Sequence, residues 1–255
     1  MKLYKVDALV LRSIECGNGD KLLVLFSREH GKMKVMAHGV TKPTSRKRGS
    51  VQLFTYTRFL IHRGRELDSV SQCEGIEMFS FLRDSLEQIS YASYLAESID
   101  SLTPEGEQNE PLFLLVLETL RLMEKGEAEI LTRSFEIKAA GLMGYQPVLD
   151  ACAQCGEPLS GALFFSLGIG GVLCEACSAA DPRAVPCSKG LVETLKVLSS
   201  WPADRLHQLK ISQADRKQIK RLLYSYLKYH LEKELKSASF LNRFATDLWG
   251  AGNDI

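Results

Sequence analysis

The sequence predicts an α+β protein in which a small all-β domain precedes a helical domain with an inserted metal-binding module. Three observations support this: strand-like alternation through residues 1–80, helical periodicity on both sides of residues 151–180, and two Cys-x-x-Cys pairs inside that segment. The helical domain is predicted to span 81–150 and 181–242, and residues 243–255 to form a flexible tail.

The β domain is predicted from five short segments, which lie at 6–12, 22–26, 32–38, 51–62 and 66–73. In the first, Val6, Ala8 and Val10 share one face, while Leu9 and Leu11 take the other. In the third, apolar residues alternate with Lys32, Lys34 and His38, which places positive charge on an outer face. Five short strands in this length favour a small barrel, and an OB-fold barrel of this size commonly binds single-stranded nucleic acid.

Positive charge is concentrated in the same region. Residues 1–80 hold 14 Lys and Arg against 8 Asp and Glu, whereas the remainder holds 18 against 23. The densest run is Thr41–Ser50, here called the basic loop, which is expected to be flexible and carries Lys42, Arg46, Lys47 and Arg48. Cations that track phosphates are typical of nucleic-acid sites, although an ordinary solvated loop is the alternative.

Three aromatic residues follow the basic loop, namely Phe54, Tyr56 and Phe59. They are candidates for stacking on bases, but a small barrel also needs large apolar residues in its core, and the core interpretation is favoured.

Residues 81–150 and 188–242 have helical periodicity. The segment 112–117 is apolar on every side, which predicts a central helix. Gly144 is expected to end a helix, while Ser188 and the Ser212–Asp215 spacing are expected to begin two others. On the last helix Lys217, Lys220, Arg221 and Lys228 form either a solvated face or a second nucleic-acid contact. His230, on the apolar stripe, is favoured as a core residue over a ligand.

The seven cysteines include two pairs, Cys152-x-x-Cys155 and Cys174-x-x-Cys177, with 18 residues between them. This spacing is typical of structural zinc, and a hairpin within 162–173 is expected to bring the pairs together. Four thiolates complete a tetrahedral shell and leave no position for a substrate, so one structural zinc ion is predicted. An iron–sulfur cluster and a redox pair are the alternatives. Cys16, Cys73 and Cys187 are left outside the site.

Several functional classes lack support in the sequence. There is no phosphate-binding loop, dinucleotide fingerprint, zinc-protease motif or nucleophile elbow, so no enzyme and no small-molecule substrate are predicted. No signal segment and no membrane-spanning run is visible, which makes a cytoplasmic location the expectation and excludes a membrane partner.

The order of several short motifs resembles that of the bacterial recombination mediator family RecO, over about residues 4–242. The motifs are Gly19-Asp20-Lys21-Leu22, His38-Gly39-Val40, Lys42-Pro43-Thr44-Ser45-Arg46-Lys47-Arg48, Tyr94-Leu95-Ala96-Glu97, Phe135-Glu136-Ile137-Lys138, Gly144-Tyr145-Gln146-Pro147 before Cys152, and Leu235-Lys236-Ser237. The resemblance implies an N-terminal OB-fold, a helical domain and a zinc module.

The resemblance also implies a function at the nucleoid. Members of this family bind single- and double-stranded DNA, anneal complementary strands and, with RecR, help load RecA onto strands coated by single-strand binding protein. The family's basic surface maps onto Lys32, Lys34, Lys42, Arg46, Lys47 and Arg48, and its metal ligands onto Cys152, Cys155, Cys174 and Cys177. Two other hypotheses are a zinc-ribbon adaptor that contacts proteins and an undetected DNA hydrolase.

Overall fold

The computed structural model describes residues 2–231 together with Leu235 and Ser237. It divides into two compact units, which are Met1–Glu124 with the described residues after Glu234, and Lys125–Glu234. The predicted tail, 243–255, lies outside the described residues. No helix in the described part is both long enough and apolar enough to cross a membrane.

The first unit begins with a five-stranded sheet. Its strands are β1 (Leu3–Glu15), β2 (Lys21–Ser27), β3 (Gly31–Ala37), β4 (Tyr56–His62) and β5 (Asp68–Glu77). They pair in the order β1-β2-β3-β5-β4, and β4 pairs back onto β1, so the sheet closes on itself. All these pairs are antiparallel except β3 with β5. The prediction of an α+β chain that starts with five strands is confirmed.

Alternation along β1 gives the core of this sheet. Val6, Ala8 and Val10 are buried in one apolar cluster with residues of every other strand. Leu9 and Leu11, on the other face of the same strand, are also buried. Two helices, α1 (Leu86–Leu102) and α2 (Glu110–Leu122), belong to this unit, and α1 contacts β1. The outer face of β1 is therefore partly covered, although Lys5 on it remains exposed.

The fourth strand begins later than predicted. It starts at Tyr56 rather than at residue 51 because residues 51–55 form turns. Phe54 has a φ angle of 65°, a left-handed conformation that strands do not contain. Val51 and Phe54 are both buried. The apolar character of this segment therefore reflects its anchoring to the interior and not strand pairing.

Helix α2 is amphipathic instead of being buried all round, so that prediction was wrong. Asn109 caps the helix by accepting a 3.0 Å hydrogen bond from the N–H of Leu112. Phe113 packs its ring 5.8 Å from those of Phe26 and Tyr56, whereas Leu114 is 48% exposed. One side of α2 covers the sheet and the opposite side faces solvent.

The second unit consists of helices and a small sheet. Its helices are α3 (Ala128–Leu142), α4 (Lys189–Ser200) and α5 (Gln213–Leu231), and its strands are β6 (Leu163–Ser166), β7 (Gly171–Leu173) and β8 (Val185–Cys187), in the order β7-β6-β8.

The predicted ends of these helices are confirmed. Gly144, with a φ angle of 88°, follows the end of α3. Ser188 accepts a 3.0 Å hydrogen bond from the N–H of Leu191, and Ser212 accepts one of 3.1 Å from the N–H of Asp215. His230 packs between aromatic side chains and stacks on Tyr145 with 4.4 Å between ring centroids, in line with its interpretation as a packing residue.

Candidate functional sites: a four-cysteine cluster and a basic loop

Four cysteines of the second unit converge on one point. The sulfur atoms of Cys152, Cys155, Cys174 and Cys177 all lie within 4.8 Å of one another. The first pair follows α3 and the second follows β7, so the predicted hairpin of β6 and β7 brings the pairs together. Among the described residues, this is the one group of three or more His, Cys, Asp or Glu side chains that is arranged to hold a metal ion.

Each pair is shaped by a tight turn. The N–H of Gly156 donates to the carbonyl of Cys152 at 2.8 Å, and Gly156 has a φ angle of 76° that a side chain would strain. In the second pair the N–H of Cys177 donates to the carbonyl of Cys174 at 3.0 Å. The N–H of Cys174 also points at the sulfur of Cys152, 3.4 Å away. The two pairs are thus linked directly as well as through the hairpin.

The electrostatics of the cluster favour a bound cation. Burial alone would raise the pKa of Cys152, but N–H groups of Cys174, Cys155 and Gln154 donate to its sulfur and lower its pKa to about 6. By contrast, the thiols of Cys155 and Cys174 raise the pKa of Cys177 to about 12. Four thiols this close cannot all ionise unless a positive ion compensates them, and the thiolate is the form that binds metal.

The donor set fits zinc. A tetrahedral ion with bonds of about 2.3 Å requires sulfur atoms about 3.8 Å apart, which is compatible with the spacing of this cluster. The apolar cluster around the sulfur atoms is small, and its buried members are Cys152, Leu173 and Cys174. A metal crosslink would add stability that so small a cluster does not supply.

The basic loop joins β3 to β4 as a series of turns. The N–H of Ser45 donates to the carbonyl of Lys42 at 2.9 Å, and the N–H of Gln52 to that of Gly49 at 3.3 Å. Val40 on one side of the loop and Val51 on the other are each 1% exposed and belong to the sheet's core cluster. The loop is therefore anchored at both ends, and the flexibility of the residues between them stays a prediction.

The six cations predicted to bind DNA are not placed alike. Lys42, Arg46 and Arg48 are exposed. No ion pair involves Arg46 or Arg48 in the part of the chain that the structure describes. Lys47 is half-buried, and its ammonium donates to the carbonyl of Val70 at 2.9 Å, which fixes the loop to β5. The structure thus brings three exposed cations together on one anchored loop.

The two predicted cations of β3 make internal contacts. The ammonium of Lys32 lies 3.0 Å from a carboxylate oxygen of Asp100 in α1, and its side chain is 11% exposed. Lys34 forms an ion pair with Glu105, which lies in the segment between α1 and α2. The alternation of β3 is as predicted, but α1 covers Lys32, whereas Lys34 stays exposed beside Glu105.

The three candidate aromatic residues also differ in how far they are exposed. Phe54 is 2% exposed and Phe59 is fully buried, so neither offers a ring face to a base. Tyr56 is partly exposed, but its ring packs against that of Phe113. The core interpretation of Phe54 and Phe59 is confirmed.

The basic face of α5 borders a groove of about 470 Å³. Phe165, Leu167 and Leu222 line it with apolar surface, and Lys217 and Arg221 lie at its edge. Lys220 is different, because burial lowers the pKa of its ammonium group. The cations of α5 therefore do not form one uniform solvated face.

Asp20 is a residue of this region that sequence reasoning missed. It contacts His38 and Gly39 at the start of the basic loop. In the sequence it belongs to the motif Gly19-Asp20-Lys21-Leu22, which supports the family resemblance but does not indicate these contacts.

Comparison with known proteins gives consistent matches over nearly the whole chain. The family model "Recombination protein O N terminal" matches residues 1–79, and "Recombination protein O C terminal" matches residues 83–239. The chain is 56% identical to the DNA repair protein RecO of Pelotomaculum thermopropionicum, over 99% of this chain and 98% of that protein. It is 41% identical to RecO of Desulforamulus reducens over the full length of both. It is 40% identical to RecO of Desulforudis audaxviator, over 95% of this chain and 98% of that protein.

Proposed function

The chain belongs to the Recombination protein O family of DNA repair proteins, and from this premise we propose that it is a DNA-binding recombination mediator. It binds single- and double-stranded DNA, anneals complementary strands and, together with RecR, assists RecA loading on strands coated by single-strand binding protein. The observation that carries this proposal is the anchored basic loop with Lys42, Arg46 and Arg48 exposed on it.

The closed sheet of the first unit is proposed to be an OB-fold barrel. The strand order β1-β2-β3-β5-β4, its closure through β1 and the parallel β3–β5 pair support this assignment. The proposed DNA-binding domain is 1–80, followed by a helical domain of 81–150 and 181–242 and a zinc module of 151–180. Helices α1 and α2 also support the sheet, since they belong to the same compact unit.

Phosphate binding by the loop follows from its chemistry. Arginine guanidinium groups form paired, charge-assisted hydrogen bonds to phosphate oxygens, while a lysine ammonium acts as a point charge. Each phosphate that is neutralised releases condensed counterions, so binding weakens as salt rises. Because the loop is anchored at Val40 and Val51, little conformational entropy is lost when it meets DNA. Lys32 and Lys34 are proposed to contribute less to phosphate binding than the loop, because Asp100 of α1 pairs with Lys32 and Glu105 with Lys34.

We propose that the four-cysteine cluster holds one structural zinc ion. Cys152, Cys155, Cys174 and Cys177 would supply all four ligands. When bound, zinc would crosslink the two ends of the hairpin and would have no open coordination position for a substrate. The proposed role of the module is therefore structural, and the proposal for the whole chain is a mediator without catalytic activity that works in the cytoplasm at the nucleoid.

Strand annealing tests the function directly. The purified protein is expected to speed the pairing of two complementary fluorescent oligonucleotides at least tenfold over the spontaneous rate at low salt. The reason is that a basic surface lowers the repulsion between two phosphate chains. Fluorescence quenching on pairing is the measurement, and a non-complementary pair is the control. Pairing at the spontaneous rate over the whole range of protein concentration would contradict the proposed mediator function.

A further inference from the structure

The turn between β1 and β2 makes three hydrogen bonds to the residues that lead into the basic loop. One carboxylate oxygen of Asp20 accepts from the N–H of Gly39 at 2.7 Å, and the other lies 2.7 Å from Nδ1 of His38. The carbonyl of Gly19 accepts from the N–H of Thr41 at 3.0 Å. A single turn thus fixes three of the four residues from 38 to 41.

The same turn also contacts the first cation of the loop. A Cβ atom added at Gly19 would lie 3.3 Å from Cγ of Lys42, and one added at Gly39 would lie 3.7 Å from its Cδ. The stem of Lys42 therefore lies over two glycines. The direction of the Lys42 side chain depends on how closely the turn and the loop approach each other.

The turn has the geometry needed to present Asp20 in this way. Gly17, Asn18 and Gly19 all have positive φ angles, and the N–H of Asp20 donates back to the carbonyl of Gly17 at 2.9 Å. The N–H of Cys16 donates to the carbonyl of Asp20 at 3.0 Å. The backbone on both sides of the Asp20 side chain is therefore fixed, and the carboxylate is aimed at the loop.

Asp20 is ionised under ordinary conditions. The hydrogen bond from Gly39 is the main cause that lowers the pKa of its carboxyl group, and the contact with His38 adds to it. A negative charge beside a phosphate-binding loop repels phosphate, so charge alone gives no reason to place a carboxylate there. The hydrogen bonds give a geometric reason.

We propose that Asp20 is a positioning residue for DNA binding, which fixes His38 and Gly39 before the basic loop so that Lys42 and the rest of the loop face the phosphate chain. Its own charge opposes binding, and its hydrogen bonds more than compensate. This inference rests on the proposed DNA-binding function of the loop. It adds that the loop's affinity depends on a contact from another part of the sheet.

The charge of Asp20 is expected to weaken DNA binding, whereas its hydrogen bonds are expected to strengthen it. Substitutions at this position can therefore separate the two effects. Asp20→Ala removes both the charge and the hydrogen bonds, whereas Asp20→Asn removes the charge but keeps one acceptor oxygen. Glu15→Ala is the matched control, because Glu15 is an exposed carboxylate at the end of β1, beside the same turn.

We expect Asp20→Ala to weaken oligonucleotide binding about tenfold and to lower the salt slope by about one, as for one lost phosphate contact. We expect a smaller loss for Asp20→Asn and no loss for Glu15→Ala.

A double-mutant cycle separates positioning from a general structural effect. If Asp20 acts through the loop, Asp20→Ala does not weaken binding further in a Lys42→Met, Arg46→Gln, Arg48→Gln background, because the cations that it helps to position are then gone. Amide hydrogen exchange gives a readout that needs no DNA, since the N–H groups of Gly39 and Thr41 are expected to exchange faster in Asp20→Ala.

The possible failures are distinguishable. Equal or tighter DNA binding by Asp20→Ala, in a protein whose wild type binds DNA through Arg46 and Arg48, overturns the positioning role and leaves the proposed function intact. A wild type that does not bind oligonucleotides overturns the proposed function and, with it, the role of Asp20 in DNA binding. Unchanged exchange at Gly39 and Thr41 in Asp20→Ala overturns the structural basis of the inference in either case.

Discussion

Replacing Cys152 by serine is expected to abolish metal binding and to destabilise the hairpin module by several kcal/mol. Structural zinc sites contribute apparent free energies of about 10–16 kcal/mol to folding at neutral pH, and loss of one thiolate forfeits much of this. The cluster around the sulfur atoms has little else to hold it, because two of its three buried residues are themselves cysteine ligands. Elemental analysis is expected to find about one zinc per wild-type chain and almost none in Cys152→Ser, and thermal unfolding is expected to occur at a lower temperature.

Cys187→Ser is the matched control for this change. Cys187 belongs to β8, which pairs with β6 of the same small sheet, and burial raises the pKa of its thiol to about 11. The substitution is chemically the same but lies outside the cluster, so the metal content is expected to stay at the wild-type value. A wild-type protein that is folded and metal-free would contradict the zinc proposal. Iron with visible absorption bands would favour an iron–sulfur cluster instead.

Neutralising Arg46 and Arg48 is expected to weaken DNA binding by between about tenfold and a hundredfold at moderate salt. Both side chains are exposed, so their loss removes phosphate contacts without disturbing the core. Two lost contacts also lower the slope of log affinity against log salt by about two. Fluorescence anisotropy with a labelled single strand, measured at several salt concentrations, gives both quantities for Arg46→Gln, Arg48→Gln. Lys47 is left unchanged in this variant because its ammonium group holds the loop to Val70.

Lys32→Met is the matched control for charge. It removes one positive charge from the neighbouring strand, as the single change Arg46→Gln removes one from the loop. Because the Lys32 ammonium is buried against Asp100, we expect little change in affinity or salt slope, together with some loss of stability, since Asp100 then keeps only its ion pair with Arg12. If Lys32→Met weakens binding as strongly as Arg46→Gln does, the loop is not the principal phosphate-binding surface. An unaltered salt slope in the folded double variant would lead to the same conclusion.

The sequence alone predicted the features that depend on residues close together in the chain. The four cysteines were predicted to meet because each Cys-x-x-Cys turn aims both of its sulfur atoms in one direction and a hairpin joins the pairs. The caps at Ser188 and Ser212 are equally local, since each hydrogen bond spans three residues. Alternation also placed Val6, Ala8 and Val10 on one face, and the structure buries that face in the core of the sheet.

The alternation of apolar and polar residues along a strand does not predict which residues cover its outer face. Lys32 was correctly assigned to the outer side of β3, but Asp100, which pairs with it, is 68 residues away in the chain. Leu9 and Leu11, on the outer face of β1, are buried as well. Such contacts depend on where α1 and α2 pack, and no local pattern in β1 or β3 encodes this.

The basic loop is a second case in which distant contacts were not predictable from the local sequence. Its composition predicted a flexible segment, yet Val40 and Val51 anchor it in the core, and Asp20 fixes its start across a separation of 19 residues. Single apolar residues inside a polar run carry little signal by themselves. Phe54 was ambiguous between core and base platform because its left-handed backbone, which turns it inward, has no signature in the sequence.

Equilibrium binding of the wild-type protein to a short oligonucleotide, titrated in dilute buffer and again as salt is added, examines the main claim without any substitution. The account predicts saturable binding whose log affinity falls linearly with log salt, with a slope of about two to three for the three exposed cations of the loop. A protein that leaves the oligonucleotide unbound even at the lowest ionic strength, or whose affinity does not respond to salt, would contradict it.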